Sequence, residues 1–461
     1  MINGIKFLAL PNSLQRKIFP KWMGCSNFIW NAKCAEDEYL RKFAKRYLPL
    51  GTFPKPDQKY SQYKNDELTP WLKNCPSQIL RNSASNWYST YQNFFKGLCK
   101  RPKIKHRDGG GSILLTRELF RFERDEKTKQ IRLFIGTKKN NLGYLDVKWH
   151  DKKWLKYGYP NSIRIKKTPF ERYSVSFCYG NEEKNSNERK SWLDHLKNLE
   201  EKELNKIVLG VDRGVHVICA TDDAQHLNAT LQEKNSLSTA EIKKKRYQRR
   251  LARQQKNSKC RNKIKKKLAK IQVKKKNIRE NICHRISKKL VDTDDKKVIV
   301  FENLKTKNMT KSSKGNKKNH GKNVSQKKGL NREILNKGWH KIETFTIYKA
   351  HRRGKVVFKI DPKYTSQECA CCGRIHPKNR KGNKFKCIFC LHVDHADNNA
   401  GKIIKKRAVN LFLHSGTELS EDCILKNRLL SSDIGRGAEV RPVSTSPKQA
   451  LAAKRKKRRV V

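Results

Sequence analysis

Near its middle the chain reads Ile207-Val-Leu-Gly-Val-Asp212, followed at once by Arg213-Gly214. A short, continuous apolar run of this kind is typical of a strand that is buried on both faces of a sheet. Val298-Ile-Val-Phe-Glu302 repeats the pattern, and Val356-Val-Phe-Lys-Ile360 is a further apolar run. Residues 215–220 are predicted to form the hairpin partner of the first strand. The chain therefore contains several predicted core strands, two of which end in a carboxylate.

Carboxylates are scarce in this chain, so their placement is informative. Asp212 and Glu302 each end an apolar strand, and Asp397 lies at the head of a segment, 400–409, that can be helical. Side chains at the ends of adjacent strands and at the start of a facing helix can converge on one point. Three converging carboxylates suit hard divalent cations, and two such ions about 3.5–4 Å apart can clamp the attacking and leaving oxygens of a phosphodiester. Taken one at a time, each acid is more simply a surface charge or a strand-end cap, and it is the combination that favours a metal site.

Five cysteines crowd into residues 369–390, and four of them have the spacing of a zinc ribbon. Two C-x2-C pairs are separated by fourteen residues, and the predicted ligands are Cys369, Cys372, Cys387 and Cys390. Each pair can present two thiolates to one face of a tetrahedral Zn²⁺, and four protein ligands leave no open position, which favours a structural site. Cys371 is predicted to be a spare thiol, while His392 and His395 are weaker ligand candidates. The alternative is a chance grouping of cysteines.

The charge of the chain points to a polyanionic partner. Lys and Arg total 107 against 42 Asp and Glu in 461 residues, which leaves a formal net charge of +65 at pH 7. Long nucleic acid neutralises such a charge best. No apolar run is long enough to span a membrane, and the start of the chain lacks the pattern of a secretory signal. A reducing, cytoplasmic location is therefore expected, where cysteines bind metal more readily than they form disulfides.

The positive charge is concentrated in one predicted helical hairpin, 238–292. Residues 241–290 contain 22 Lys and Arg against two Glu. The apolar residues could still form one packing stripe, with the Lys and Arg side chains turned to phosphates. A basic coiled coil that binds RNA without any chemistry is the alternative for this segment.

The first 180 residues carry a different pattern. A short strand ends at Pro11, apolar residues recur at helical spacing over 14–47 and 77–98, and residues 112–180 alternate apolar and polar in short pieces. Such alternation predicts an antiparallel sheet or a small barrel.

Several of these motifs resemble the TnpB family of transposon-associated proteins, which are related to the miniature type V CRISPR effectors. Gly210-Val-Asp-Arg-Gly-Val resembles the first RuvC motif of the family, Phe301-Glu-Asn-Leu the second, and Asp394-His-Ala-Asp-Asn-Asn-Ala the third. Gly329-Leu-Asn-Arg-Glu-Ile-Leu-Asn-Lys-Gly-Trp and Tyr364-Thr-Ser-Gln-Glu-Cys are also typical of it. Two positions depart from the family pattern: Gly401 replaces an alanine, and Leu391 replaces the glycine that usually follows the last cysteine.

This resemblance implies a multidomain α/β protein. An RNase H-like RuvC nuclease domain carries an inserted zinc ribbon, and an N-terminal β-barrel wedge domain carries a helical recognition lobe. The expected boundaries are 1–12 and 100–180 for the wedge, 13–99 for the lobe, 181–205 for a linker, 206–365 and 391–412 for the nuclease domain, 366–390 for the ribbon, and 413–461 for a disordered basic tail.

The resemblance also implies the function of an RNA-guided DNA endonuclease. Asp212, Glu302 and Asp397 would bind Mg²⁺, with two ions expected, while Zn²⁺ has a structural role. The expected partners are a guide RNA and target double-stranded DNA, with no membrane, in a monomer with RNA in a prokaryotic cytoplasm. A CRISPR-associated miniature effector with the same chemistry is one alternative, and a non-catalytic zinc-ribbon regulator is another.

The first helix is expected to face nucleic acid. Four polar residues on or near its exposed face are candidates for reading a short flanking motif on the target: Lys21, Asn27, Asn31 and Lys33.

Overall fold

The computed structural model describes residues 3–47, 56–106, 110–124, 130–137, 141–150, 155, 158–179, 185–315, 320–414, 416–419 and 424–427. The chain divides into two compact units, one of residues 1–184 with 244–272 and the other of residues 185–243 with 273–461. The multidomain, mixed α/β architecture expected from the sequence is therefore confirmed. Among the described residues, none of the helices combines the length and the apolar character needed to cross a membrane.

The first unit is built from an antiparallel sheet and the helices that pack on it. Its elements are β1 (Asn3–Leu10), α1 (Ser13–Tyr39), α2 (Lys45–Tyr47), α3 (Ser77–Phe95), β2 (Gly111–Thr116), β3 (Phe120–Arg124), β4 (Ile131–Gly136), β5 (Asn141–Lys148), β6 (Ser162–Lys167) and β7 (Tyr173–Tyr179). The strand order is β2-β6-β7-β1-β5-β4-β3. The two edge strands of this order, β2 and β3, are joined by a single 3-10 turn, Arg117–Leu119. Because that turn spans only three residues, it brings the end of one edge strand close to the start of the other.

The helices of residues 13–99 share one hydrophobic core with this sheet. Phe19 and Trp22 of α1 and Leu80 of α3 pack in the same buried cluster as Leu115 and Ile165 of the sheet. The helices expected to form a recognition lobe at 13–99 and the strands expected to form the wedge therefore share one core. Periodicity reveals an apolar face of each helix but does not show which surface covers it.

The start of α1 is pinned to the sheet by one side chain. Gln15 forms a capping box with Asn12, and its amide nitrogen also donates to the carbonyl oxygens of Leu142 and Tyr144 on β5, at 3.0 Å each. Gln15 is fully buried, so these bonds satisfy a polar group that would otherwise be costly to remove from water.

The second unit contains a mixed sheet between helices, followed by a small cysteine-rich sheet. Its elements, together with two helices that also supply residues 244–272 of the first unit, are α4 (Asn185–Lys197), α5 (Glu201–Ile207), β8 (Val208–Asp212), β9 (Cys219–Thr221), β10 (His226–Leu227), α6 (Leu231–Ala252), α7 (Lys259–Val291), β11 (Val298–Glu302), α8 (Thr306–Met309), α9 (Val324–Lys337), α10 (Trp339–His351), β12 (Val356–Ile360), β13 (Arg380–Lys381), β14 (Lys384–Lys386), β15 (Val393–His395), α11 (Ala396–Leu413), β16 (Thr417–Leu419) and β17 (Leu425–Asn427).

The main sheet of this unit has the order β10-β9-β8-β11-β12, in which β8, β11 and β12 are parallel. Every residue of β8 and of β11 is buried, as their continuous apolar sequences predict. An antiparallel hairpin partner of β8 is predicted at residues 215–220; this pairing is confirmed, but the partner strand, β9, begins only at Cys219. Gly214 and the residues after it form a loop that leads away from the end of β8.

The boundaries predicted for three segments are wrong. Residues 181–205 were expected to form a linker, but α4 and α5 lie there, and Leu196 and Leu204 are buried in the same cluster as β8. Residues 413–461 were expected to be a disordered tail, but β16 pairs with β17 and Leu425 is buried; residues 428–461 lie outside the described part of the chain. The ribbon was expected to end at residue 390, yet its sheet continues to His395.

The basic hairpin consists of two helices whose start differs from the prediction. The first helix begins at Leu231, where Thr230 and Glu233 form reciprocal side-chain to backbone bonds of 2.8 and 3.2 Å. The residues of α6 and α7 within 244–272 group with the first unit, not with the predicted nuclease domain. Buried residues of α7 concentrate at its end, as with Ile282, Ile286 and Leu290, while most of its length is polar.

Candidate active site and metal centre

The three predicted acids lie in one buried cluster. Asp212 is the last residue of β8, Glu302 is the last residue of β11, and Asp397 lies in the first turn of α11. The parallel register pairs Val211 with Phe301, so the residues that follow, Asp212 and Glu302, leave the same edge of the sheet side by side. Each of the three is less than 10 % exposed. Burial to this degree is unusual for carboxylates and points to a shared role.

Two glycines, Gly210 and Gly401, allow α11 to pack closely against β8 and the turn after β9. A Cβ atom on Gly210 of β8 would lie only 2.2 Å from the carbonyl oxygen of Gly401 on α11, and one on Gly401 would lie 3.0 Å from the backbone nitrogen of Asp222. The helix and the strand therefore touch backbone to backbone. The departure from the family pattern at Gly401 thus has a physical reason, because a methyl group there would press on the turn after β9.

The loop after β8 also reaches the third acid. A Cβ atom on Gly214 would lie 3.8 Å from Oδ2 of Asp397. The indole nitrogen of Trp339, at the start of α10, donates to the Gly214 carbonyl oxygen at 3.3 Å. The start of α10 therefore holds the loop in place against α11.

Burial opposes the charged form of two of these acids. Burial raises the pKa of Asp212 to about 8, with further contributions from the charges of Glu302 and Asp397. Burial is also the main cause of a raised pKa at Glu302. Charged carboxylates in such a site need a compensating positive charge. An all-oxygen donor set of this kind fits a hard divalent cation such as Mg²⁺.

Neighbouring side chains hold the acids in place. The Arg380 guanidinium donates to Oδ1 of Asp397 at 2.9 Å, and the Thr365 hydroxyl donates to the Glu302 carboxylate. Arg213, itself buried, donates to the backbone carbonyl oxygen of Glu302. Sequence reasoning missed Arg380 and Thr365, because nothing in the local pattern of either residue indicates contact with an acid that is distant in sequence. Arg213 could have been found, since it directly follows Asp212.

The four predicted zinc ligands form a separate, compact group. The sulfur atoms of Cys369, Cys372, Cys387 and Cys390 all lie within 4.8 Å of one another. Across the group, Cys369 and Cys390 are 3.6 Å apart, as are Cys372 and Cys387. A tetrahedron with Zn–S bonds of about 2.3 Å has edges of about 3.8 Å, so the group fits Zn²⁺. Among the described residues it is the only group of three or more His, Cys, Asp and Glu whose ligand atoms all lie within 4.8 Å of one another, so the carboxylate oxygens of Asp212, Glu302 and Asp397 are more widely spaced than these sulfur atoms.

The remaining ribbon candidates are not part of this group. Cys371 is exposed and outside it. His395 instead caps α11, where its Nδ1 accepts the backbone N–H of Asp397 at 3.3 Å, and His392 Nε2 lies 3.9 Å from the Asp394 carboxylate. Leu391, which replaces the usual glycine, has a φ of +58°, so the second knuckle keeps a left-handed turn despite the substitution.

The thiol that precedes Leu391, that of Cys390, has a lowered pKa. A backbone hydrogen bond from His392 lowers the pKa of Cys390 to about 6. A thiol with such a pKa is largely deprotonated at neutral pH, and the thiolate is the form that binds metal. Burial has the opposite effect at Cys369, where it raises the pKa to about 12.

The residues predicted to read a flanking motif are only partly available. Lys33 is fully buried, and its ammonium group pairs with Glu36 at 2.5 Å and Asp57 at 3.1 Å. Asn31 exchanges two hydrogen bonds with the backbone of Lys105, at 2.8 and 3.0 Å. The prediction is therefore wrong for Lys33, whose charge is used within the fold. Helical spacing placed it on the wrong face because the segment around Asp57 covers that side of α1.

Comparisons with known proteins agree with the resemblance seen in the sequence. Residues 176–313 match the family described as "Probable transposase", and residues 339–404 match the family described as "Cas12f1-like, TNB domain". The chain is 28 % identical over 412 residues to a protein of Escherichia coli (strain K12) named "Putative RNA-guided DNA endonuclease InsQ", which covers 87 % of this chain and 91 % of that protein. The resemblance to TnpB-type proteins is confirmed by these matches.

The CRISPR-associated relatives match over shorter regions or in fold alone. A protein of Sulfoacidibacillus thermotolerans named "CRISPR-associated endodeoxyribonuclease Cas12f1" is 43 % identical over 74 residues, which is 16 % of this chain and 18 % of that protein. A solved structure titled "Cryo-EM structure of the Cas12f1-sgRNA-target DNA complex" has a TM-score of 0.51 at 14 % identity, over 86 % of this chain and 83 % of that chain. At that identity the structural match shows a shared fold.

Proposed function

We propose that this chain, a relative of the TnpB-type and Cas12f1 proteins, is an RNA-guided DNA endonuclease that hydrolyses phosphodiester bonds at Asp212, Glu302 and Asp397. The observation that carries the proposal is the convergence of these three buried carboxyl groups at one edge of the parallel sheet. A structural core would have no need for three buried acids, two of which raise the pKa of Asp212 through their charges, and a purely RNA-binding protein would gain nothing from them.

The three acids would hold Mg²⁺, in a pair of ions. Bound there, Mg²⁺ supplies Lewis-acid stabilisation of the phosphate and a more acidic water molecule. Thr365 orients the Glu302 carboxylate, and Arg380 orients Asp397. The Arg380 guanidinium also places a positive charge directly beside Asp397. Because α11 is fixed to β8 through Gly210, the separation between the acids is set by rigid backbone elements.

The basic helices α6 and α7 would bind the guide RNA. Residues 241–290 carry 22 Lys and Arg with two Glu, and such side chains contact phosphates without reading the sequence. Sequence would then be read by pairing between the guide and the target strand of double-stranded DNA. The four-cysteine group would hold a structural Zn²⁺, and we propose that one protein chain acts with one RNA in the cytoplasm of a prokaryote.

The relatives favour a transposon-associated protein over a CRISPR-associated effector. The likeness to InsQ extends over 91 % of that protein, whereas the likeness to the S. thermotolerans Cas12f1 extends over 18 %. RNA that copurifies with the chain, expressed with its native flanking DNA, would distinguish the two by its origin. One discrete RNA encoded beside the gene is expected, and one from a repeat array would favour the CRISPR effector.

The catalytic assignment is tested by removing one charge at either end of the same strand. Glu302→Gln should abolish DNA cleavage by the RNA-bound protein while RNA binding is unchanged. Asp295→Asn is the matched control, because Asp295 is an exposed acid in the loop before β11, at the opposite end of the strand. Undiminished cleavage by Glu302→Gln would refute the assignment. Loss of cleavage in both variants would point to a general charge effect, and a wild-type chain that binds RNA without cleaving DNA would favour the non-catalytic regulator.

A further inference from the structure

One asparagine joins the helix of the acid cluster to the cysteine group. Asn399 lies two residues after Asp397 in α11 and is fully buried. Its Oδ1 accepts the backbone N–H of Ala370 at 3.0 Å, and its Nδ2 donates to the carbonyl oxygen of Glu368 at 2.7 Å. These two partners flank Cys369. A single side chain therefore fixes the first cysteine knuckle against the first turn of α11.

A second contact extends this attachment along α11. The Arg407 guanidinium donates to the Glu368 carboxylate, with Nε at 3.0 Å, and to the carbonyl oxygen of Lys363 at 2.7 Å. Residues 363–370 are thus bonded to α11 at two positions, Asn399 and Arg407. Thr365, whose hydroxyl donates to Glu302, lies inside this segment.

The segment 363–370 therefore contacts one of the three acids and the helix that carries another, and it contains one predicted zinc ligand. It orients Glu302 through Thr365, it contacts the helix of Asp397 through Asn399, and it contains Cys369. Groups that orient metal ligands typically change metal affinity by about 10–100-fold when they are removed. Metal binding to cysteines also orders the chain that carries them. Order in the cysteine knuckle can consequently be passed to the acids through these contacts.

We propose that Asn399 is a positioning residue that couples the two metal centres. Zinc in the four-cysteine group holds residues 363–370 in place, Asn399 passes this constraint to α11, and the acids then bind a divalent cation with the affinity that catalysis needs. The inference rests on the proposed function in one respect, namely that Asp212, Glu302 and Asp397 bind that cation.

The test is a double-mutant cycle read by Mn²⁺ binding. Mn²⁺ affinity of the full chain is measured by electron paramagnetic resonance titration, without DNA, in the wild type, Asn399→Ala, Cys372→Ser and the double variant. Asn398→Ala is the matched control, because Asn398 is the neighbouring residue of the same helix and its Oδ1 contacts His226 at 2.7 Å, not the knuckle. Bound zinc is measured in every variant.

Both single variants should bind Mn²⁺ about 10–100-fold more weakly than the wild type. Asn399→Ala should keep one zinc per chain, and Asn398→Ala should resemble the wild type. The double variant should be no weaker than the weaker single variant, because both changes break the same connection.

Four results would overturn the coupling. They are wild-type Mn²⁺ affinity in Asn399→Ala, wild-type affinity in Cys372→Ser, fully additive losses in the double variant, or an equal loss in Asn398→Ala. The first three of these leave the proposed nuclease intact if Glu302→Gln still abolishes Mn²⁺ binding. A wild type whose Mn²⁺ binding is absent or unaffected by Glu302→Gln would instead refute the proposed function, and the coupling with it. Loss of zinc in Asn399→Ala would overturn the assignment of Asn399 as a positioning residue between the two centres, because the side chain would then be needed to form the cysteine group itself.

Discussion

The contact between β8 and α11 makes the substitution Gly210→Ala a sharp test of how the acid cluster is built. The new methyl carbon would lie 2.2 Å from the Gly401 carbonyl oxygen, 2.8 Å from the Lys405 backbone nitrogen and 3.0 Å from Lys405 Cβ, whereas ordinary contacts begin near 3.4 Å. Two of these three neighbours are backbone atoms of a helix, so they cannot move independently. The helix or the strand must therefore retreat by roughly 1 Å, a strain of the kind that costs about 1–3 kcal/mol when a packed core is overfilled.

The same displacement should also affect catalysis. Because α11 carries Asp397, a shift of about 1 Å separates this acid from Asp212 and Glu302, and errors of that size at a reacting centre can lower the rate about 100-fold. We expect Gly210→Ala to lower the free energy of unfolding by about 1–3 kcal/mol, measured by urea denaturation, and to reduce single-turnover DNA cleavage about 100-fold at saturating Mg²⁺.

A glycine with free space around it provides the control. A Cβ atom on Gly329, within α9, would meet no atom within 4 Å. Gly329→Ala should stabilise the protein by about 0.5–1 kcal/mol, because alanine is the better helix former, with cleavage unchanged. Wild-type stability and cleavage in Gly210→Ala would refute the inference that the backbone approach of β8 and α11 sets the geometry of the acids.

Three further predictions follow from single groups. Cys372→Ser should abolish stoichiometric zinc binding, measured by metal analysis, while Cys371→Ser should leave it unchanged; zinc loss in both would exclude the four-cysteine assignment. Burial raises the pKa of Asp212 to about 8, so the folded chain keeps a proton that the unfolded chain releases above about pH 4. Without divalent cation, the stability of the wild type relative to Asp212→Asn should therefore fall from pH 5 to pH 8 in denaturation experiments, and a constant difference would contradict the raised pKa. Lys33→Ala should destabilise the chain by about 2–4 kcal/mol, because it empties a fully buried site, and should leave target preference unchanged; an altered flanking-motif requirement would argue that Lys33 contacts DNA.

The local sequence pattern was sufficient to predict those features of the fold and of the site whose signals lie within a few neighbouring residues. The buried strands β8 and β11 were predicted from continuous apolar runs, and the cysteine group from two C-x2-C pairs, since both signals span only a few residues. The resemblance to TnpB proteins could also be identified from short motifs. The convergence of Asp212, Glu302 and Asp397 was expected because each acid stands at the end of an element whose direction the pattern reveals.

Pattern failed where a residue's environment comes from distant parts of the chain. The segment 181–205 looked like a linker because it is polar, but Leu196 and Leu204 are enough to pack its helices against the sheet. Lys33 looked exposed because helical spacing says nothing about the segment that covers α1. In each case the sequence shows which side chains are present. Whether they are buried depends on which other segment of the chain packs against them.

The sequence alone thus accounts for the strands, the cysteine ligands and the three acids, because their signals are carried by neighbouring residues. The contacts of Arg380 with Asp397, Thr365 with Glu302, and Asn399 with the cysteine knuckle became visible only in the folded chain. Each of them joins residues from different elements through a side chain of ordinary type. The sequence shows no periodic or regularly spaced pattern for such contacts. They form only when long-range packing brings the last residues of β8 and β11 and the first turn of α11 close to the cysteine ribbon.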